Sequence, residues 1–478
     1  MLHPKHIYIF DLPTYPKGVV SLSIPALAAC FDEARYNITF FDLNLVDVPN
    51  TFEGPIAFIG IKVSSQSFNY AIALSKRLKL ALPNVPIMWG GELPSLLPDE
   101  CLKHADVVVQ SMFEPVADEF IADLENGTLK KIYTGSNAFA LAHNAAPNFD
   151  VIADIDAYSS FMGLPLETSR GCTEVCTFCM VHVMQKKHYN LKTQAQLREE
   201  LKAYKGKFIN IVDYNFGVSA EHVIQTAQLI KESGATGYMA ETCIEMLDND
   251  NVLAALRDSG CTMIYCGLEA VDEQALKSVH KMNTNHIENY ERIIRKAQSY
   301  GVQIASGFIL GIDGMKADTF ENSLRFFERM GIMYVKLTFI TYNPGTKVAK
   351  YMAKKGHYTT DDITKYDGNH LSYLPHGVNS NVVTVGADKF IRQFYSFPSI
   401  VKRSFNTRLS AMQRLEFILF NVCYRQVYLD WLKQDILNNS ANFRILLESK
   451  FIKSRVTVWA ENLLNWVRRK RYANNIDG

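Results

Sequence analysis

Residues 164–179 read LPLETSRGCTEVCTFC, a short apolar stretch running straight into a polar loop that carries three cysteines. Leu164–Thr168 is a strand candidate. Cys172, Cys176 and Cys179 follow in the spacing C-x3-C-x2-C. A strand that ends in a chemistry-bearing loop is the working unit of parallel α/β folds, whose ligands gather at the carboxyl ends of the strands. Gly171 lets the backbone turn tightly as the loop leaves the strand.

Downstream, further strand candidates are Phe208–Val212, Gly237–Ala240, Met263–Gly267, Gln303–Leu310 and Tyr334–Phe339, with helical stretches between most of them. Six β/α units in series predict a full or partial β/α barrel over residues 164–346. Upstream, residues 1–135 alternate in the same way. His6–Asp11, Asn37–Asp42, Pro55–Val63, Pro86–Trp89 and Ala105–Val109 read as strands. Ser21–Arg35, Phe68–Leu82 and the stretch around Pro115–Leu124 have helical spacing. This predicts a doubly wound, flavodoxin-like α/β domain. Residues 136–163 read as a linker. The remainder, 347–478, is irregular over Gly356–Asp388 and helical after Ala387, through Arg414–Leu432 and Val456–Val467. The basic run Arg468–Arg471 reads as a solvated helix end, with contact to acidic lipid or nucleic acid as the alternative.

The 478 residues are 48% hydrophobic and 21% charged, enough for a large core without disulfides. Fifty basic against 49 acidic residues leave a formal net charge of +1, so no global field favours nucleic acid. No apolar run is long enough to span a bilayer, and the start does not resemble a secretory signal. Nine cysteines, three of them clustered, suit a reducing cytoplasm where a cluster means metal or catalysis.

Thiolates suit iron–sulfur clusters and zinc alike. Three of them on one short loop can hold three corners of a cubane and leave the fourth iron open. Zinc is the rival, with His182 as a fourth ligand three residues after Cys179. In that reading the chain is a non-catalytic zinc-binding module. Cys243, Cys261 and Cys266 read as core residues.

The cysteine loop, with Phe178 before its last cysteine, resembles that of the radical S-adenosylmethionine (SAM) enzymes. Other stretches resemble the same family at matching places: Asp213-Tyr214-Asn215-Phe216, with Tyr214 as a departure, then Gly267-Leu268-Glu269-Ala270 and Gln274–Asn283. Gly307-Phe308-Ile309-Leu310-Gly311 and Tyr342-Asn343-Pro344-Gly345-Thr346 complete the set. The resemblance implies a [4Fe–4S] cluster on Cys172, Cys176 and Cys179. It also implies SAM contacts from Phe178, Asp213, Glu269, Ile309 and Gly311, and reductive cleavage of SAM to a 5′-deoxyadenosyl radical. For Asp213, capping of the next helix is the alternative role.

The first 135 residues resemble the cobalamin-binding domain that precedes many such enzymes, on Leu22–Cys30, Val63-Ser64-Ser65 and Gly90-Gly91-Glu92. That resemblance implies cobalamin against Ser64, Ser65, Gly90 and Gly91. No D-x-H-x-x-G motif offers a lower axial ligand, and His3, His6 and His104 lie outside the strand-end loops. A domain that only shapes the substrate pocket is the alternative. Methylthiotransferases carry three cysteines in their first domain, whereas only Cys30 and Cys101 occur here. The expected activity is cobalamin-dependent methylation of an unactivated carbon of a small molecule or lipid, with radical cyclisation or rearrangement as the alternative. The implied partners are that substrate and an external electron donor such as flavodoxin or ferredoxin, without nucleic acid.

Overall fold

The computed structural model describes residues 4–476 apart from 15–16, 137–140, 142–143, 175, 186–187, 282–284, 317, 344–345, 357–359, 377 and 434–453. Two six-stranded parallel sheets organise the chain.

The first sheet contains β1 (Lys5–Asp11), β2 (Tyr36–Asp42), β3 (Ile56–Lys62), β4 (Ile87–Gly90), β5 (Val107–Gln110) and β6 (Ile132–Thr134). Its order is β2-β1-β3-β4-β5-β6, the flavodoxin-like winding with a reversal between β1 and β3. Successive side chains of a strand point to opposite faces. Tyr8, Phe10, Ile59, Ile61, Trp89 and Val108 fill one face, and Ile7, Ile9, Phe58, Met88, Val107 and Val109 fill the other. Both faces are apolar because helices cover both, as parallel sheets require. The helix Phe68–Ala81 buries Ala71, Leu74 and Leu78, spaced to lie on one side.

The second sheet contains β7 (Leu164–Leu166), β10 (Phe208–Ile211), β11 (Gly237–Thr242), β12 (Cys261–Glu269), β13 (Gln303–Leu310) and β14 (Val335–Phe339), in sequential order. It is an open half-barrel. Between its first two strands, β8 (Ser169–Gly171) and β9 (Tyr189–Leu191) pair as a short antiparallel ribbon. Helices Ala220–Ser233, Asp250–Asp258, Ile287–Ser299 and Thr319–Met330 cover the convex side. Several start on side-chain caps, such as Asn249, which accepts from the amides of Asn251 and Val252.

Helices Lys347–Lys354, Ser380–Phe394, Phe397–Phe405, Ala411–Lys433 and Arg455–Ile476 form the C-terminal part. The expected irregular stretch over Gly356–Asp388 is therefore too long at its end. Val382, Val383, Thr384, Val385 and Gly386 lower local helix propensity. Packing overrides it: Val383, Ala387 and Phe390 are buried, and Gly386 lets the Phe320 ring lie against the helix backbone. The helix expected over Ser21–Arg35 spans only Ser23–Ala28. Beyond it the Asp32 carboxylate accepts from the Ala34 amide and fixes a turn instead.

The basic run also differs from expectation. Arg468 is buried, bonded through Nε to Glu416 and through Nη1 to the Phe161 carbonyl. Its guanidinium stacks 3.3 Å from the Phe208 ring centroid. No described helix is long and apolar enough to cross a membrane.

Candidate active site

The cysteine loop starts at Gly171, the last residue of β8. Its φ is +104°, and a side chain there would collide with the His188 carbonyl. Glycine is thus required for β8 to turn beside β9. Cys176 is buried, while Cys172 and Cys179 are partly exposed. The Glu174 amide donates to Cys172 Sγ at 3.4 Å. Burial pushes all three thiols up, Cys179 to about 11, and Cys172 and Cys176 add to the rise at Cys179. Among the described residues no three metal-binding groups converge on one ion. A cubane takes one ligand per iron corner rather than three on one ion. The His182 side chain lies outside the described residues, as do Met282 and Asn283 of the Gln274–Asn283 stretch and the Pro344-Gly345 turn.

Below the loop is a fully buried polar network. Asp213 accepts from the Thr168 amide at 2.7 Å and from the hydroxyls of Thr168 and Ser169, both at 2.5 Å. Thr168 Oγ1 also meets His222 Nε2 at 2.8 Å. Burial raises the Asp213 carboxyl to about 6 against the pull of those donors, and lowers His222 to about 4. The next helical segments are capped by Asn215 and Ser219, and the Asp213 carboxylate is engaged by Thr168 and Ser169. It ties the end of β7 to the start of the cysteine loop. Spacing alone placed it after a strand but not on a side of it.

Glu269 ends β12 with φ +62°, a conformation that costs a non-glycine residue energy. Its carboxylate is buried, raised by desolvation, and faces Lys281 and Lys336. Lys281, also buried, is held protonated against its own desolvation chiefly by the Glu269 carboxylate. Phe178 and Ile309 line the same cavity as Glu269, whereas Gly311, at φ +77°, is packed against Leu371 and Ile340.

Two cavities meet at this point. One, of about 700 Å3, separates the two sheets and is mostly apolar. Gly60, Met88 and Gly90 line it from the first sheet; Arg170, Phe178, Cys179 and Tyr214 line it from the second. The other, of about 550 Å3, opens into the half-barrel and holds Ser64, Ser65, Glu92, Glu241, Glu269 and Ile309. Lys62, Glu92, Phe178, Met180 and Asn343 line both. The four residues expected around cobalamin are therefore split. Gly90 and Gly91 face the larger cavity, while Ser64 and Ser65 turn toward the barrel, where Ser64 meets Ser67 Oγ at 3.2 Å. No histidine is among the described residues lining the larger cavity. His104 stacks on Trp89, His6 lies under Gly54, and His3 is outside the described residues.

Residues 166–327 match the model of the radical SAM superfamily. The chain carries a radical SAM domain. Enzymes of this superfamily work with a [4Fe–4S] cluster and SAM, and the three-thiol donor set of this domain fits the cluster. The relatives are also similar beyond the domain. Bacteriochlorophyllide d C-12(1)-methyltransferase of Chlorobaculum tepidum is 22% identical over 84% of this chain and 89% of its own. Hopanoid C-2 methylase of Rhodopseudomonas palustris is 24% identical over 67% of this chain and 61% of its own. Among solved structures, the cobalamin-dependent radical SAM enzyme OxsB superposes with a TM-score of 0.65 at 14% identity, covering 99% of this chain and 80% of its own. The radical SAM methyltransferase TsrM of Kitasatospora setae gives 0.60 at 13%, covering 90% and 99%. At such identities these two show a shared fold.

Sequence reasoning did not single out Arg170, Glu114, Lys62, Glu241 or Lys336, while Glu92 and Lys281 fell inside the quoted stretches Gly90-Gly91-Glu92 and Gln274–Asn283 without a role of their own. Arg170 had a signal, since it directly precedes Gly171-Cys172. The others sit in ordinary strands and loops, and only the three-dimensional arrangement brings them together.

Proposed function

We propose that this radical SAM enzyme is a cobalamin-dependent methyltransferase acting on an unactivated carbon of a small molecule or lipid. The observation that carries the reading is the apolar cavity between the sheets. It lies at the carboxyl ends of the flavodoxin-like strands, where such folds bind ligands, and the cysteine loop forms its opposite wall. The curated relatives named above are methyltransferases, which favours methyl transfer over cyclisation or rearrangement.

When bound, the cluster supplies an electron to SAM and cobalamin supplies the methyl group. The chain's own residues do the rest. Cys172, Cys176 and Cys179 would each hold one iron of the cluster. Phe178, Glu269 and Ile309 line the space for SAM, and Gly311 shapes the strand end that supports it. Asp213 positions the loop from below. Gly90 and Gly91 allow close approach of a large planar ring. Lys62, Glu92, Phe178, Met180 and Asn343 line both cavities and would border an acceptor held between them. No histidine is among the described residues lining the apolar cavity. An external flavodoxin or ferredoxin in the cytoplasm fits as electron source.

The test is anaerobic reconstitution with iron, sulfide and hydroxocobalamin, then desalting. Near-stoichiometric cobalt should remain, its cobalt(II) resonance should lack axial nitrogen splitting, and methyl-labelled SAM should yield a labelled product. A protein that keeps iron but no cobalt refutes the methyltransferase reading.

A further inference from the structure

The floor of the half-barrel holds two charged side chains that the reading above does not use. Strand β11 is buried at every position except Glu241, and in β14 Lys336 is exposed between the buried Val335 and Leu337. Both line the 550 Å3 cavity, so their exposure is to its interior. Between them in the sheet, β12 and β13 place Tyr265 beside Glu241 and Gly307 beside Lys336. A Cβ on Gly307 would stand 2.6 Å from the Tyr265 hydroxyl and 2.9 Å from Glu269 Oε2. The glycine leaves a hollow that those two groups fill, and Glu241 and Lys336 flank it.

Among the described residues, Glu241 and Lys336 make no hydrogen bond and no ion pair within 4 Å; through space Lys336 acts on both Glu241 and Glu269, and Lys281 acts on the same two carboxylates. The other lysine of this cavity, Lys62, is already bonded to Asp11 and Ser21. Charges taken from bulk water into a cavity cost free energy unless something pairs them there. Burial raises the Glu241 carboxyl to about 7, so near neutral pH it exchanges readily between accepting and donating a hydrogen bond.

We propose that Lys336 and Glu241 form a substrate subsite: Lys336 takes an anionic group of the acceptor, a carboxylate or phosphate, and Glu241 takes a hydroxyl or amino group of the same molecule. The subsite rests on the reading that the acceptor enters this cavity. It names an acidic, hydrogen-bond-donating small molecule as the substrate class.

The experiment uses reconstituted holoenzyme and a small-molecule extract of the source organism, split by ion exchange into anionic, neutral and cationic fractions. Formation of 5′-deoxyadenosine from SAM is measured, and transfer of methyl label is recorded in parallel. The anionic fraction alone should stimulate 5′-deoxyadenosine formation. Lys336→Met should raise the amount needed for half-stimulation by about tenfold or more, as expected on losing a charge-assisted hydrogen bond. Lys336→Arg should recover part of it, and the Kd for SAM should shift by less than about twofold in both, well under 1 kcal/mol. Phosphatase treatment of the fraction removes the stimulation if the anion is a phosphate and spares it if it is a carboxylate. Stimulation by another fraction, by none, or equally in Lys336→Met overturns the subsite. So does a large loss of SAM affinity in Lys336→Met, which would place Lys336 in the SAM site. Stimulation without label transfer keeps the subsite and sinks methyl transfer.

Discussion

Arg170 Nη2 lies 2.9 Å from Glu114 Oε1, joining the strand that launches the cysteine loop to the loop after β5 in the first sheet. The same guanidinium grips Glu167 with two bonds, of 2.7 and 2.8 Å, and meets Met112 Sδ at 3.0 Å. All three charged side chains are about one-seventh exposed or less. The larger cavity is thus closed on one side by an ion pair between its two walls.

Removing one partner of such a pair strands a nearly buried charge. Arg170→Ala should cost about 3–5 kcal/mol, because two carboxylates lose their cation. Glu114→Gln, which leaves Glu167 to neutralise Arg170, should cost less and should still weaken cobalamin retention. Urea denaturation of the apo-protein and cobalt retention after desalting measure the two effects. Full stability in Arg170→Ala would show that the contact carries no load.

Asp213 should govern the loop rather than SAM directly. Asp213→Asn places an amide N–H against the Thr168 amide or hydroxyl, both donors to the native carboxylate. Iron content after reconstitution should fall along with any loss of SAM affinity. A variant with full iron and weakened SAM binding would restore a ligand-facing role.

The same residue has a pH signature. Its carboxyl is raised to about 6 by burial, above its ordinary value of 3.8, so the folded state binds the proton more tightly than the unfolded one. Its contribution is most favourable below pH 3.8, declines as pH rises toward 6, and is flat above. The stability difference between wild type and Asp213→Asn should therefore vary with pH in that window and be constant above it. A difference that varies only above pH 7 would contradict the assignment.

Replacing Cys172, Cys176 or Cys179 with Ala should abolish the absorption near ~400 nm that thiolate-bound clusters give, and with it cleavage of SAM. Cys266→Ala, in the core of β12, and Cys243→Ala, which loses a 3.7 Å contact from Asn215, should keep their iron. Iron loss in Cys243→Ala would bring that residue into the ligand set.

Gly90 and Gly91 should respond differently. A Cβ on Gly90 meets nothing within 4 Å, so Gly90→Leu should fold normally and exclude cobalamin by filling the cavity. Gly91 has φ +110°, and a Cβ there would sit 2.8 Å from the Val63 carbonyl, so Gly91→Ala should cost about 1–3 kcal/mol. Thermal unfolding and cobalt retention separate the two.

Much of this architecture was legible in the sequence because the strands are runs of apolar and β-branched residues between turn signals, as in Ile56–Lys62 and Gln303–Leu310. The β8–β9 ribbon was not, since Ser-Arg-Gly and Tyr-Asn-Leu are too short to show a period. The cysteine loop announced itself by spacing. Asp213 was found but its partners Thr168 and Ser169 were not, because position after a strand does not say which way a carboxylate turns. Ser64 and Ser65 were placed with Gly90 and Gly91 for the same reason. Arg468 was hidden among basic neighbours, and only its partners Glu416 and Phe208, far away in sequence, show it to be interior.

The place of Arg468 has a consequence for the order of events during synthesis. The helix Arg455–Ile476 seals the edge of the half-barrel at its first strands: Asn465 bonds Ser160, and Arg468 bonds the Phe161 carbonyl and covers Phe208. Strands β7 and β10 leave the ribosome long before that helix does. Until it arrives, the surface it covers, the Phe208 ring included, stays open to any neighbouring chain. Slow translation between the two segments therefore prolongs the period in which the nascent barrel is prone to aggregate.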